Sequence, residues 1–242
     1  MTDRPSAPAR RAYWQGLRDG GPFLLIIGPF GMVFGVVATE AGLSVVQTLA
    51  FSVAVIAGAA QLTALQLMTE NAPTVIVLLT ALAVNARMAM YSASLTPHLG
   101  AAPLWQRAVV AYLMVDQAYA TAYLRFEREP GMSVGAKLGY YLGVITLVAP
   151  CWYLGTLAGA LLGEAIPPSI PISAAVPITF LALVGPMLRT LAHVVAALVS
   201  VVGTLALGFL PYSLGLLAAA VLAMMAGAAV ETRVARWREG AR

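Results

Sequence analysis

The sequence predicts an all-α, polytopic integral membrane protein with about eight helices that cross or enter the lipid bilayer. Sixty per cent of the 242 residues are hydrophobic and ten per cent are charged, whereas about a quarter of the residues in a soluble domain are charged. A soluble protein of this composition would expose large apolar patches and aggregate. A spanning helix needs about 20 apolar residues, and stretches of that length recur along the chain.

Stretches without Asp, Glu, Lys or Arg, or with a single such residue, mark the predicted membrane elements. In chain order they are residues 20–39, 41–69, 71–95, 108–124, 138–163, 165–188 and 190–230. The last is long enough for two helices, with a break at Pro211. Gly135, Gly139 and Gly143 form one row at helical spacing, and Gly155, Gly159 and Gly163 form another. Such rows let helix backbones approach closely in a membrane.

Basic residues cluster at both ends of the chain, which predicts that both termini are cytoplasmic. The residues are Arg4, Arg10, Arg11, Arg18, Arg233, Arg236, Arg238 and Arg242. Eight crossings then place the loops near Glu70, residues 125–137 and Arg189 inside, and those near Gly42, Pro103, residues 163–168 and Pro211 outside. The short loops at Gly42 and Glu70 leave open that a neighbouring element is a broken or re-entrant helix.

The chain divides into three predicted parts, with no room for a separate soluble domain. Residues 1–16 form a cytoplasmic segment, 17–231 a helical transmembrane domain, and 232–242 a basic cytoplasmic tail. The net charge of +4 lies at the ends of apolar stretches, which favours a membrane surface over nucleic acid as the partner.

The sequence offers little for an enzyme or a metal site. Cys151 is the single cysteine, and His98 and His193 lie far apart, so no metal ligand set and no cofactor is predicted. The H-E-x-x-H, G-x-S-x-G and P-loop motifs are absent, and no catalytic residue is assigned. An intramembrane hydrolase stays open as an alternative, with Ser92 or Ser94 meeting a histidine.

Asp116 is the sharpest single signal for function. It lies nine residues from both Arg107 and Arg125, which predicts a position about 13 Å from either end of one helix. An acidic side chain at mid-bilayer costs about 2.5–3.5 kcal/mol, so a cation, a proton, water or a substrate must compensate it. It is either a substrate-amine contact or proton carrier, or half of a structural ion pair with Arg87 or another basic group.

Further polar side chains interrupt the second and third apolar stretches. Spacings of three and four place Arg87, Tyr91 and Ser94 on one helical face, with Asn85 and Ser92 beside them. A guanidinium suits a substrate carboxylate because it donates two parallel hydrogen bonds; alternatively, Arg87 reaches a lipid headgroup or holds a loop. Gln61 either joins helices or touches substrate.

Several motifs together resemble the AzlC family of branched-chain amino acid transporters. They are Gly31-Met-Val-Phe-Gly35, Ala57-Gly-Ala-Ala-Gln61, Asn85-Ala-Arg87, Tyr91-Ser-Ala-Ser-Leu-Thr-Pro-His98 and Asp116-Gln-Ala-Tyr119. The family usually has glutamate directly after the aspartate, where this chain has Gln117. If that glutamate carries protons, coupling in this chain rests on Asp116 alone.

The resemblance implies a secondary transporter that exports valine, leucine and isoleucine, with methionine as a further candidate, across a bacterial cytoplasmic membrane. It also implies a small, separately encoded AzlD-type membrane protein as partner, and we predict that transport is driven by the proton gradient. The candidate substrate-binding or coupling residues are Asp116, Arg87, Asn85, Gln61, Tyr91, Ser92 and Ser94. The alternatives are a non-transporting scaffold or assembly subunit and, less favoured, the intramembrane enzyme. The sequence leaves the oligomeric state open and is compatible with a homo-oligomer.

Overall fold

The computed structural model describes residues 9–165, 188, 190–210 and 214–240, and these residues form helices and no strand. The helices are α1 Ala9–Gly20, α2 Leu24–Glu40, α3 Val45–Ala54, α4 Gly58–Thr69, α5 Thr74–Val84, α6 Ala86–Leu99, α7 Leu104–Tyr112, α8 Asp116–Arg128, α9 Val134–Ala165, α10 Leu191–Ala206 and α11 Leu214–Gly240. A 3₁₀ turn, Gly21–Phe23, joins α1 to α2. The all-α prediction is confirmed.

The chain forms two compact units. One comprises Met1–Leu65 with Ala81–Ile170, and the other Gln66–Thr80 with Pro171–Arg242. In the second, α10 and α11 pack as an antiparallel pair, with Gly203 against Ala219 and Gly227 against Ala196. The predicted span at residues 165–188 and the break at Pro211 lie almost wholly outside the described residues. The boundaries at residues 16 and 231 stay predictions.

Within the described residues, four helical segments are long and apolar enough to cross a membrane: Ala9–Glu40, Thr74–Leu99, Val134–Gly163 and Leu214–Val234. The helices α3, α4, α7 and α8 have only 10, 12, 9 and 13 residues. They are therefore about 14 to 20 Å long, too short for a hydrocarbon core about 30 Å thick. The prediction of one full-length helix in each of the stretches 41–69 and 108–124 is wrong, and the expectation of broken helices is confirmed.

The frame of the first unit is a pair of parallel helices. The segment α1–α2 runs beside α9. The two are parallel, because Gly16 near the start of α1 lies against Tyr140 near the start of α9, and Thr39 near the end of α2 lies against Gly163 near the end of α9. The glycine rows predicted for α9 lie largely in this interface. A methyl group added at Gly31, on the facing helix, would lie 2.8 Å from the carbonyl oxygen of Trp152. Backbones this close leave room for hydrogen only.

The helices α3 and α4 form a first hairpin, hairpin 1, that enters beside the C-terminal end of α2. A capping box of Ser44 and Gln47 starts α3, which satisfies backbone donors at its first turn. The helix then runs antiparallel to α2, because Phe51 contacts Phe34 and Gly58, after the break, contacts Phe30. Val55 is extended and separates the two arms.

The helices α7 and α8 form a second hairpin, hairpin 2. A turn of four residues joins α6 to α7, and Met114 at the far end of α7 contacts Ser92, so α7 runs back along α6. Val115 is extended, and α8 then runs parallel to α6. Asp116 is the first residue of α8, so its predicted position in the middle of one continuous helix is wrong.

A tyrosine hydroxyl group provides a hydrogen-bond partner for carbonyl groups at the end of α7, where hairpin 2 reverses. Tyr141 on α9 is fully buried, and its hydroxyl lies 3.3 Å from the carbonyl oxygen of Val110 and 3.2 Å from that of Leu113. Carbonyl groups at a helix end have no intrahelical donor. A non-helical backbone at membrane depth needs protein partners of this kind.

The two hairpins enter from opposite ends of the frame. The base of hairpin 2 lies where α1 and α9 begin, because Arg125 donates to Gln15 and Phe126 contacts Tyr140. The loop at Pro103 therefore lies at the same end as the loop before α9, and its predicted position on the other side is wrong. This end carries Arg10, Arg11, Arg107, Arg125, Arg128 and Lys137, so the positive-inside rule assigns it to the cytoplasm.

Candidate functional site

The tips of the two hairpins meet in a cavity between α2 and α9. Its volume is about 110 Å³, several times the roughly 10–15 Å³ that one water molecule needs. Both broken segments contribute, with backbone and side chains from residues 56–59 and 115–117. The remaining lining residues are Ile27, Phe30, Arg87, Met88, Val148, Ala149 and Trp152. The cavity thus combines apolar walls with one cation and one carboxylate.

Arg87 and Asp116 form an ion pair at this cavity. The Arg87 Nε donates to Asp116 Oδ1 at 2.9 Å, and the hydroxyl of Tyr91 donates to the same oxygen at 3.0 Å. The Asp116 side chain is 49% exposed and that of Arg87 30%. Asp116 also stands at the positive end of the α8 dipole, which attracts a negative charge. Asp116 therefore forms the ion pair with Arg87 that the sequence offered as one alternative, and about half of its side chain stays accessible.

The residues predicted to share a face of α6 all contact α8. Arg87 and Tyr91 bind Asp116, the ring of Tyr91 stacks on Tyr119 with centroids 3.9 Å apart, and Ser94 donates to the Tyr119 hydroxyl at 2.9 Å. The predicted face is confirmed. Ser92 lies apart from it, with its hydroxyl 3.9 Å from the sulfur of Met114 on α7.

Gln61 lies in a buried network rather than in the cavity wall. Its amide nitrogen donates to the Ser52 hydroxyl at 3.1 Å, and that hydroxyl lies 3.2 Å from the hydroxyl of Thr156. The chain of contacts joins α3, α4 and α9. Gly58 and Ala59, one turn before Gln61, line the cavity instead. This geometry favours helix joining over substrate contact for Gln61.

Asn85 lies at the junction of α5 and α6. It occupies the N-cap position of α6 without making a side-chain cap. Its Oδ1 is buried and has no hydrogen-bond partner among the described residues. The oxygen of a buried amide normally accepts a hydrogen bond, so this junction holds an acceptor that the described residues do not use.

The serine and histidine side chains of the enzyme alternative do not meet at α6. His98 contacts Glu127 and Lys137, whereas Ser92 and Ser94 contact Met114 and Tyr119. Among the described residues, no group of three His, Cys, Asp or Glu side chains could hold a metal ion.

Sequence reasoning missed the walls of the cavity and the re-entry of hairpin 2. The break at Leu113–Val115 contains neither glycine nor proline, so no local signal marks it. The first break is followed directly by Gly58, which is a weak signal. Tyr141 looks like an interfacial aromatic residue in the sequence, and only the folded chain shows its contact with the α7 carbonyl groups.

The fold and the cavity define a multi-pass helical membrane protein, and broken helices that meet at a central cavity are a pattern that many secondary transporters share. The chain belongs to the AzlC family: the family model described as "AzlC protein" matches residues 22–166. This range contains both hairpins and every residue that lines the cavity.

Individual relatives agree with a membrane location. The chain is 25% identical over 166 residues, 66% of its length and 64% of the relative's, to "Inner membrane protein YgaZ" of Escherichia coli strain K12. It is 28% identical over 134 residues, 55% and 57% of the two lengths, to an "Uncharacterized membrane protein" of Helicobacter pylori strain ATCC 700392 / 26695. The chain therefore spans less than two thirds of the length of these curated relatives. No solved structure matches it significantly.

Proposed function

We propose that the chain exports branched-chain amino acids across the bacterial cytoplasmic membrane. The substrates are valine, leucine and isoleucine, with methionine as a further one, and transport is coupled to protons. The observation that carries the proposal is the cavity between the hairpin tips, where apolar walls meet one accessible carboxylate and a helix N-terminus. An aliphatic zwitterion has three matching parts: a side chain, an ammonium group and a carboxylate.

Asp116 is the partner for the substrate ammonium. Arg87 and Tyr91 both donate to Oδ1, and no described residue donates to Oδ2. Half of the side chain is exposed, so a substrate ammonium has an oxygen to bind. Arg87 then acts as a positioning residue, because its guanidinium fixes the carboxylate and compensates part of its charge.

The N-terminus of α4 is the partner for the substrate carboxylate. Gly58 and Ala59 line the cavity, and the first amide groups of a helix have no intrahelical acceptor. The positive end of the helix dipole adds attraction for an anion. The Arg87 Nε already donates to Asp116, and the α4 amides offer the substrate carboxylate further donors.

The apolar walls suit an aliphatic side chain. Ile27, Phe30, Ile56 and Val148 line the cavity together with Trp152. Burying each methylene group contributes about 0.8 kcal/mol, so leucine and isoleucine gain over alanine by this contact. A polar side chain would find few partners in these walls.

Proton coupling follows from competition for Asp116. Among the described residues that line the cavity it is the one carboxylate, and its neighbour is Gln117. A proton and a substrate ammonium group both neutralise the same carboxylate, so each displaces the other. An inward proton gradient then favours release of the amino acid on the outer side.

A small AzlD-type membrane protein completes the transporter in this proposal. An ion pair at membrane depth must face protein or water rather than lipid, and the Asp116 side chain is half exposed. A small subunit packed against this face would supply protein there.

The test is flux of labelled leucine in proteoliposomes that contain the chain and its partner protein. Asp116→Asn should lower proton-driven flux by about 100-fold, since the amide neither titrates nor carries charge, a loss of the order of magnitude of one proton-transfer group. Glu129→Gln is the matched control, because Glu129 pairs with Arg125 on the same helix, away from the cavity. Unchanged flux in Asp116→Asn would reject Asp116 as the coupling site. No leucine flux with the unmodified chain and its partner protein would reject the function.

A non-transporting scaffold is the second candidate, favoured by the ion pair itself. The Arg87–Asp116 contact joins α6 to α8, as a purely structural bridge would. In that case, Asp116→Asn lowers the amount of assembled complex and leaves the flux per assembled complex unchanged.

A further inference from the structure

Three ionisable side chains meet at the base of hairpin 2, away from the cavity. His98 lies in the last turn of α6, Glu127 near the end of α8 and Lys137 in the first turn of α9. The His98 Nε2 is 3.2 Å from Glu127 Oε1, and its Nδ1 is 3.2 Å from Lys137 Nζ. The cluster therefore joins the ends of three helices.

The contact with Lys137 requires one form of the histidine ring. An ammonium group only donates, so Nδ1 accepts from Lys137 and carries no hydrogen. In the neutral ring the hydrogen then lies on Nε2, which is 3.2 Å from Glu127 Oε1. A protonated ring carries hydrogen at both nitrogen atoms and offers Lys137 no acceptor.

Lys137 depends on that neutral ring. The residue is 7% exposed, its ammonium group lies against the ring of Phe126, and the His98 Nδ1 is its one hydrogen-bond acceptor among the described residues. A buried ammonium group without an acceptor is strongly unfavourable. The contact between Lys137 and His98 therefore stabilises the meeting point of α6 and α9.

We infer that Glu127, His98 and Lys137 form a pH-sensitive latch at the cytoplasmic base of hairpin 2. Protonation of His98 replaces the acceptor at Nδ1 with a donor, so that two cationic donors face each other at the Lys137 contact. The attraction to Glu127 grows, but the Glu127 side chain is 57% exposed and water weakens it. The repulsion from buried Lys137 is screened less, and the latch opens.

Among the described residues, the titratable groups that face His98 are Glu127 and Tyr123 from α8 and Lys137 from α9. The uncharged ring of Phe126 also contacts it. Tyr123 makes an edge contact through its ring and brings no charge in the range where histidine titrates, about pH 5 to 8.

The latch and the cavity lie at opposite ends of the same two helices. Eleven residues separate Arg87 from His98 on α6 and Asp116 from Glu127 on α8, a distance of about 16 Å along each helix. Opening the base of hairpin 2 therefore loosens the element whose tip carries Asp116. Acidification of the cytoplasmic side would release the hairpin.

Thermal unfolding of the full chain in lipid nanodiscs tests the latch without any transport assay. The unmodified chain should lose more thermal stability between about pH 7.5 and about pH 5.5 than His98→Gln or Lys137→Met. Glutamine accepts from Lys137 and donates to Glu127 but does not titrate, and methionine removes the buried charge. We expect the Tm difference between the two pH values to shrink by about 2–4 °C in both variants.

Glu129→Gln is the control, since Glu129 lies at the same end of α8 but pairs with Arg125; it should keep the full Tm difference. The same difference in His98→Gln, Lys137→Met and the unmodified chain would overturn the inference. If His98→Gln does not fold, Lys137→Met decides alone. Leucine flux at the two pH values is a second readout that rests on the proposed function, whereas the Tm comparison does not, so the two can fail separately.

Discussion

The parallel pair of α1–α2 with α9 and the two hairpins respond to the same membrane in opposite ways. In the pair, neither segment reverses direction, a 3₁₀ turn joins α1 to α2, and glycine residues lie against the backbone of the facing helix. In the hairpins, each arm is too short to cross, and the breaks at residues 55–57 and 113–115 release backbone groups. The pair provides a rigid wall, and the hairpins bring charge and free amides to its middle.

The comparison explains where the polar residues lie. Asp116, Arg87 and Asn85 occupy the first two positions or the N-cap of a helix that begins inside the unit. At such positions the helix dipole and unpaired amides already make the surroundings polar. A charged residue therefore costs less at a break than in the middle of a continuous helix.

The largest effect is expected from a substitution that forces apart the two packed helices α2 and α9. Gly159→Ala would place a methyl group on the carbonyl oxygen of Met32, and the two backbones must separate. We expect a loss of about 1–3 kcal/mol or more in unfolding free energy, measured as a fall in Tm and in the yield of monodisperse protein. Gly135→Ala is the matched control, because Gly135 has no neighbour within 4 Å; it should be neutral or slightly stabilising. Equal effects at both positions would contradict the close packing.

A smaller effect is expected at the break of hairpin 2. Tyr141→Phe keeps the ring and removes the hydroxyl that bonds the carbonyl groups of Val110 and Leu113. One neutral hydrogen bond contributes about 0.5–1.5 kcal/mol, so the free energy of unfolding should fall by that amount, measured by thermal unfolding. Tyr153→Phe offers a comparison, because its hydroxyl bonds another hydroxyl at an exposed site. No loss in Tyr141→Phe would show that the break needs no support from α9.

The sequence predicts the membrane class, the glycine-packed frame and the shared face of Arg87, Tyr91 and Ser94, because these depend on composition and helical spacing. It does not predict that residues 108–124 turn back. Nine residues of helix on each side of Asp116 look the same in sequence whether the chain continues or reverses, and no glycine or proline marks Val115. The reversal depends on α6 and on Tyr141, which are distant in sequence.

The smallest expected effect separates the two interpretations of Gln61. Its Nε2 donates to Ser52, but its Oε1 has no partner among the described residues, so the amide is only partly satisfied. Gln61→Met keeps the volume and should change stability by less than about 1 kcal/mol, since the lost bond is offset by removing an unpaired acceptor. Leucine flux should also persist. A large loss of flux at normal stability would make Gln61 a substrate contact.

The central claim is that hairpin 2 enters and leaves the membrane on the same side. Single cysteines at Ala101 and Gly131, both exposed and on either side of the hairpin, test it in a Cys151→Ser background. Arg10→Cys marks the cytoplasmic end and Glu40→Cys the opposite end of the frame. A membrane-impermeant thiol reagent applied to intact cells and to inside-out vesicles should label Ala101→Cys and Gly131→Cys from the cytoplasm, together with Arg10→Cys. Labelling of Ala101→Cys from outside the cell, with Glu40→Cys, would show that residues 108–124 cross the membrane and would contradict the hairpin.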